Sequence, residues 1–116
     1  MIIRKSQAKT EQFLNCHGGS GILHCTGMLE DYEKTSSGFM YIHDNILEPG
    51  ASIGEHVHDG TEEIYVIIEG HGEMNVDGVK QEVSEGDICI TRSGHSHDLT
   101  NSTDGPMRML VICTIV

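Results

Sequence analysis

Apolar and polar residues alternate in short runs along most of the chain, and turns rich in glycine and aspartate separate the runs. A period of two is the signature of strands, whose successive side chains point to opposite faces. From Gly21 the segment GILHCTGML has strand composition, and the charged stretch EDYEKTSSG from Glu30 reads as a turn or exposed loop. Phe39 to Leu47 is a second strand, ended by Glu48-Pro49-Gly50. Glu62 to Glu69 forms another, after which Gly70-His71-Gly72 lets the chain bend sharply. Glu73 to Val76 and Val79 to Val83 flank Asp77-Gly78, a two-residue hairpin signal, and Ser84-Glu85-Gly86-Asp87 is a further turn. Ile88 to Thr91, Ser96 to Thr100 and Met107 to Ile115 bring the total to about nine short strands, the spacing of an all-β sandwich or barrel. No helical periodicity, internal repeat or low-complexity segment interrupts this pattern. Residues 1–20 carry little periodicity and read as an N-terminal arm ahead of a single β domain over residues 21–116.

The strand after Glu63 departs from simple alternation. Tyr65 and Ile67 share the face of Glu63, while Ile64, Val66 and Ile68 occupy the other, so both faces are apolar and both require cover. The N-terminal arm of the same chain would supply it, and so would a symmetric homodimer, the commonest oligomer.

One segment carries chemistry as well as structure. In GASIGEHVHDGTEEIYVIIEG, Gly50 to Gly70, His56 and His58 stand one residue apart and share a strand face. Asp59-Gly60 is a preferred pair for a two-residue hairpin loop. That register sets His58 opposite Thr61, Val57 opposite Glu62 and His56 opposite Glu63, so it selects Glu63 over Glu62 as the carboxylate beside the two imidazoles. Two histidines and a carboxylate on one face predict a divalent metal.

Composition narrows the partners. Seven basic and eighteen acidic residues give a net charge of -11, which argues against nucleic acid or an anionic membrane surface. An anionic ligand remains compatible, because a bound cation would be the largest positive charge in its pocket. No segment approaches a membrane span or a signal peptide, so a soluble, cytoplasmic protein is expected. Cys16, Cys25, Cys89 and Cys113 form no C-x-x-C pair and read as free thiols in a reducing compartment. Cys16-His17 followed by two glycines has a reactive or ligating corner as its alternative reading. His17, His24 and His71 are expected to face solvent.

These residues resemble the cupin superfamily, small jelly-roll β-barrels (the double-stranded β-helix) with a metal in the barrel. Its first motif, G-x5-H-x-H-x4-E-x6-G, is met by Gly50, His56, His58, Glu63 and Gly70. Its second, G-x5-P-x-G-x2-H-x3-N, is met by Gly86, Gly94, His97 and Asn101, with Arg92 where the family usually has proline. The resemblance covers roughly residues 38–116 and implies His56, His58, Glu63 and His97 as metal ligands, His97 on the strength of the resemblance alone. Such a set suits iron, manganese or zinc first, with nickel, cobalt and copper also compatible. Four protein ligands in an octahedral sphere leave two positions for water, oxygen or a chelating ligand.

Around that centre, Tyr41, His43, Asn45 and Leu47 share one strand face, and cupins usually turn the residue at Leu47 inward. His43 is then a candidate general base, with Tyr65 a second candidate for proton donation. Tyr41, Asn45, Arg92 and His95 are candidate contacts to a small-molecule ligand, His95 at the rim. The first functional reading is a metal-dependent enzyme on a small polar metabolite, by isomerase- or lyase-type proton transfer or by oxygen-dependent cleavage. The alternative is a binding or sensing module without turnover, since one barrel hosts many activities.

Overall fold

A computed structural model describes residues 1–30 and 38–116. It contains ten strands: β1 (Lys9–Leu14), β2 (Ile22–Leu29), β3 (Phe39–Leu47), β4 (Ser52–Val57), β5 (Thr61–Glu69), β6 (His71–Val76), β7 (Val79–Ser84), β8 (Ile88–Thr91), β9 (Ser96–Thr100) and β10 (Met107–Ile115). They form two antiparallel sheets, one of six strands in the order β1-β2-β3-β10-β5-β8 and one of four in the order β4-β9-β6-β7. The turn read from Glu30 onward falls mostly on residues 31–37, outside the described residues. Among the described residues no helix is long and apolar enough to cross a membrane.

Alternation in the sequence becomes alternation in burial. Along β10, Met107, Met109, Val111 and Cys113 are buried and the residues between them are not. In β5 the buried set is Glu63, Tyr65 and Ile67. These inward faces meet Leu23, Leu47, Ile53, Met74 and Leu99 in one core between the sheets. Leu47 and Leu99 are fully buried, and truncating either to alanine would cost roughly 2–5 kcal/mol. Asn101, also fully buried, donates to the carbonyls of Leu47, Glu48 and Gly105 at 2.9–3.2 Å and ties the end of β9 to the end of β3.

Two sequence expectations change. Asp77-Gly78 does close a two-residue hairpin, with Val76 paired to Val79 and both turn residues at positive φ. Asp59-Gly60 does not: β4 pairs with β9 and β5 with β8 and β10, so this turn carries the chain from one sheet to the other. His56 accordingly lies opposite His97, and Glu63 opposite Thr91 and Cys113. The second change concerns residues 1–20, which contain β1, paired residue for residue with β2 from Lys9↔Gly27 to Leu14↔Ile22. All six residues of β1 are exposed, and with neither face buried no alternation marks the strand in the sequence.

On the outer face of the larger sheet, buried Asp44 accepts two hydrogen bonds from Arg108, at 2.9 and 2.8 Å, and one from Lys5 at 2.7 Å. Arg108, opposed by burial and helped by Lys5, holds the Asp44 carboxyl below its ordinary value. The Lys5 contact pins the N-terminal turn to this face near β3. Farther across the sheet Ile68, Ile88 and Ile90 remain open, at 39%, 61% and 48% exposure.

Candidate metal centre

Four side chains converge where the sheets face each other: His56 from β4, His58 just beyond it, Glu63 from β5 and His97 from β9. One ligand atom from each lies within 4.8 Å of all the others. His97 Nε2 is 3.0 Å from His56 Nε2 and 3.1 Å from His58 Nε2. Glu63 Oε1 lies 3.1 Å from the Nε2 atoms of both His58 and His97. The three residues other than His56 are buried.

A neighbouring oxygen lies behind each ring, at its Nδ1. His56 Nδ1 donates to the Gly54 carbonyl at 2.8 Å, which leaves its Nε2 lone pair directed at the cluster. His97 Nδ1 is 2.7 Å from Thr91 Oγ1, and His58 Nδ1 is 3.2 Å from Thr61 Oγ1. Tyr41 donates its hydroxyl to Glu63 Oε2, so the other oxygen, Oε1, is turned toward the imidazoles. That Oε1 is buried and has no aligned hydrogen-bond partner. Three anchored imidazoles and a carboxylate oxygen aimed at one point are a donor set that could hold a metal ion.

Electrostatics follow from this crowding. Burial pushes the His56 imidazole down to about 4, against the opposing pull of the Gly54 carbonyl. Burial works to raise the Glu63 carboxyl, but the His58 and His97 imidazoles and the Tyr41 hydroxyl hold it well below the usual carboxylate range. Burial and then the Glu63 charge push the Tyr41 and Tyr65 phenols far above their ordinary value. Both tyrosines therefore act as hydrogen-bonding groups at neutral pH.

The cluster opens on a cavity of about 980 Å³ that reaches out to β1. Tyr41, His43 and Asn45 line it, as the alternation of β3 requires. The Tyr41 ring stacks on His43 at 4.4 Å, and its hydroxyl serves Glu63 instead of being held free for a ligand. His43 Nε2 lies 2.5 Å from Glu30 Oε1, a close contact without hydrogen-bond alignment. Asn45 is buried with Oδ1 unpartnered. Tyr65 is a core residue whose ring sits 5.0 Å from that of His97.

Arg92 and His95 are not among the lining residues, and both are exposed. Gly94, at φ +88°, turns the backbone between Arg92 and His95, and His95 pairs across the surface with Asp77 at 2.5 Å. Neither is a cavity contact. Lys9 is consequently the single cationic side chain in the described lining, and at 83% exposure it pairs with Glu11 at 3.2 Å. His24 is bound to Glu48 at 2.8 Å instead of facing solvent alone. His17 stacks on His56 with ring centroids 3.8 Å apart. Sequence reasoning had no signal for Thr91, Thr61 or Gly54, because each acts through a contact set by tertiary packing.

Comparison with known proteins agrees with this geometry. The family model described as "Cupin domain" matches residues 45–113. An oxalate-binding protein of Thermotoga maritima is 29% identical over 116 residues, all of this chain and 95% of that protein. The crystal structure of a Thermotoga maritima protein, described as a predicted oxalate decarboxylase, superposes with a TM-score of 0.92 at 30% identity over the whole of both chains. KdgF from Halomonas sp. shares the fold at a TM-score of 0.79 and 11% identity, over all of this chain and 94% of that one. With a family model matched over more than half its length, on the strands that carry the histidine cluster, the chain belongs to the cupin family.

Proposed function

We propose that this cupin binds one divalent transition metal through His56, His58, Glu63 and His97, and uses the open coordination positions to capture a small, oxygen-chelating carboxylate of the oxalate class. The observation that carries the reading is the buried, unpartnered Glu63 Oε1 among three converging imidazoles. The oxalate-binding relative supports the ligand class. When bound, the ion supplies Lewis acidity and the positive charge the cavity otherwise lacks. The chain supplies the rest. Tyr41 holds Glu63, the Gly54 carbonyl and the Thr61 and Thr91 hydroxyls hold the rings, and Leu23, Ile53 and Val111 keep the inner wall apolar. Asn45 lines the same cavity with its Oδ1 unpartnered.

The test is calorimetric titration of oxalate into metal-free protein and into protein loaded with manganese, zinc or, anaerobically, ferrous iron. Binding is expected only in the loaded forms and is lost in His58→Ala. Equal affinity without metal would overturn the reading, as would the absence of binding with all three ions. Elemental analysis after native purification identifies the resident ion.

Turnover is the second reading, favoured by His43 lining the same cavity beside Glu30. It predicts consumption of the bound acid on long incubation, abolished in His43→Gln with binding retained. Dependence of that turnover on oxygen separates oxidative cleavage from proton transfer. The open apolar face around Ile88 and Ile90 supports a homodimer that covers it.

A further inference from the structure

Of the four donors, His56 alone is not buried, yet it carries one of the three imidazoles the centre requires. Its Nδ1 hydrogen bond to Gly54 sets one direction of the ring but leaves rotation about that bond open. A second restraint comes from a segment that local sequence reasoning sent into solvent. The 3-10 turn at Cys16–Gly18 lies against β4, with the His17 ring nearly parallel to that of His56, 13° between planes and 3.8 Å between centroids.

This placement is built into the backbone. Asn15 and His17 both adopt left-handed conformations, at φ 54° and 51°, which non-glycine residues hold only where their surroundings enforce them. Asn15 closes the corner by bonding Gly21 twice, through its backbone N–H at 3.0 Å and its side-chain Oδ1 at 3.2 Å. Ser20 and Ser52 then join the corner to β4 by paired backbone hydrogen bonds of 3.3 and 2.7 Å. The two backbones approach so closely that only glycine fits at the contact. A Cβ on Gly54 would stand 2.1 Å from the His17 carbonyl oxygen, and one on Gly19 would stand 2.2 Å from that of Ser52.

We infer that His17 is a positioning residue of the metal centre, holding the plane of the His56 imidazole by stacking from the solvent side. The inference rests on the metal reading given above. It assigns His17 a role through its ring face and not through its nitrogens, so an aromatic ring without nitrogens should serve as well. Loss of the outer partners of a ligating histidine commonly weakens a metal site by about 10–100-fold. A stacking partner at a partly exposed ligand belongs at the lower end, about tenfold.

The experiment compares full-length wild type, His17→Asn and His17→Phe. Asparagine tolerates the left-handed backbone and removes the ring, whereas phenylalanine keeps the ring and removes the nitrogens. Each metal-free protein is titrated with Co(II) against a competing chromophoric chelator, and its visible absorption is recorded. Circular dichroism of the metal-free forms verifies the fold. Expected are about tenfold weaker Co(II) binding and faster loss to EDTA in His17→Asn, affinity within about threefold of wild type in His17→Phe, and unchanged band positions in His17→Phe. Equal affinity of wild type and His17→Asn overturns the inference while leaving the metal reading intact. Failure of phenylalanine to rescue, or a shifted band in that variant, overturns it in favour of a role for the imidazole nitrogens. Wild type that binds no Co(II) removes the metal reading itself.

Discussion

Acidifying the metal-free protein should destabilise it chiefly through His56 between about pH 6.5 and 4. Burial depresses the folded-state value of this imidazole to about 4, whereas an unfolded histidine titrates near 6.5. A depressed folded value means that the unfolded chain takes up the proton first. Stability is therefore complete above about pH 6.5 and is lost as pH falls toward the folded value. Linkage with these two values gives a loss of about 2.5 kcal/mol at pH 4.5. Because the ring retains contact with solvent, the expected figure is nearer 1.5–2 kcal/mol. The perturbation that isolates it is His56→Phe, which keeps an aromatic ring under His17 and cannot titrate. Urea unfolding of both proteins without metal, followed by circular dichroism because the chain has no tryptophan, gives the stability at pH 7.5 and at pH 4.5. Wild type should lose more than His56→Phe by the stated amount. An equal loss in the two proteins would refute the reasoning and move the pH sensitivity to other groups.

Tyr41→Phe removes the hydrogen bond to Glu63 Oε2 and should weaken Co(II) binding about 10–100-fold while the fold remains, read by the same chelator competition. Arg108→Ala strips two hydrogen bonds from buried Asp44 and should cost about 2–3 kcal/mol in urea unfolding at pH 7, with Asp44→Asn in the same background recovering part of it. Arg92→Ala should leave oxalate affinity of the loaded protein unchanged, since the residue lies outside the cavity; a tenfold loss by calorimetry would contradict its placement. Ile88→Glu with Ile90→Lys should convert the proposed homodimer to monomer in light scattering, with Co(II) affinity unchanged.

The fold was most legible where contacts are local. The β6–β7 hairpin follows from Asp77-Gly78 alone, because both residues accept positive φ and the flanking strands are in register. Asp59-Gly60 carries an equally strong turn signal and has a different outcome. A tight turn reverses the chain, but the choice between pairing with the preceding strand and crossing to the opposite sheet depends on which edges the rest of the barrel leaves open. For β4 and β5 those edges are supplied by β9, β8 and β10, all later in the chain. β1 was hidden for the opposite reason, being held by backbone pairing to β2 with no buried face to write a pattern.

Glu63 shows how a residue is identified through a register that does not form. Cross-strand pairing with His56 selected it over Glu62, yet in the folded chain it meets the histidines from the facing sheet. What survives is parity. Glu63 shares its face with Tyr65 and Ile67, and that face is the buried one, so any arrangement that buries the apolar residues also brings this carboxylate inside. Parity alone does not place His95, which follows the turn at Gly94 and is held at the surface by Asp77. The same limit governs electrostatics. A net charge of -11 did not reveal that Arg92 lies outside the cavity lining and that the described lining holds one exposed lysine. An anion entering that space meets Glu11 and Glu30 as well as Lys9, whose charge Glu11 already offsets at 3.2 Å. Under the proposed carboxylate binding, affinity would have to come from an ion held at Glu63, so metal loading is the expected condition of ligand binding and not an adjustment to it.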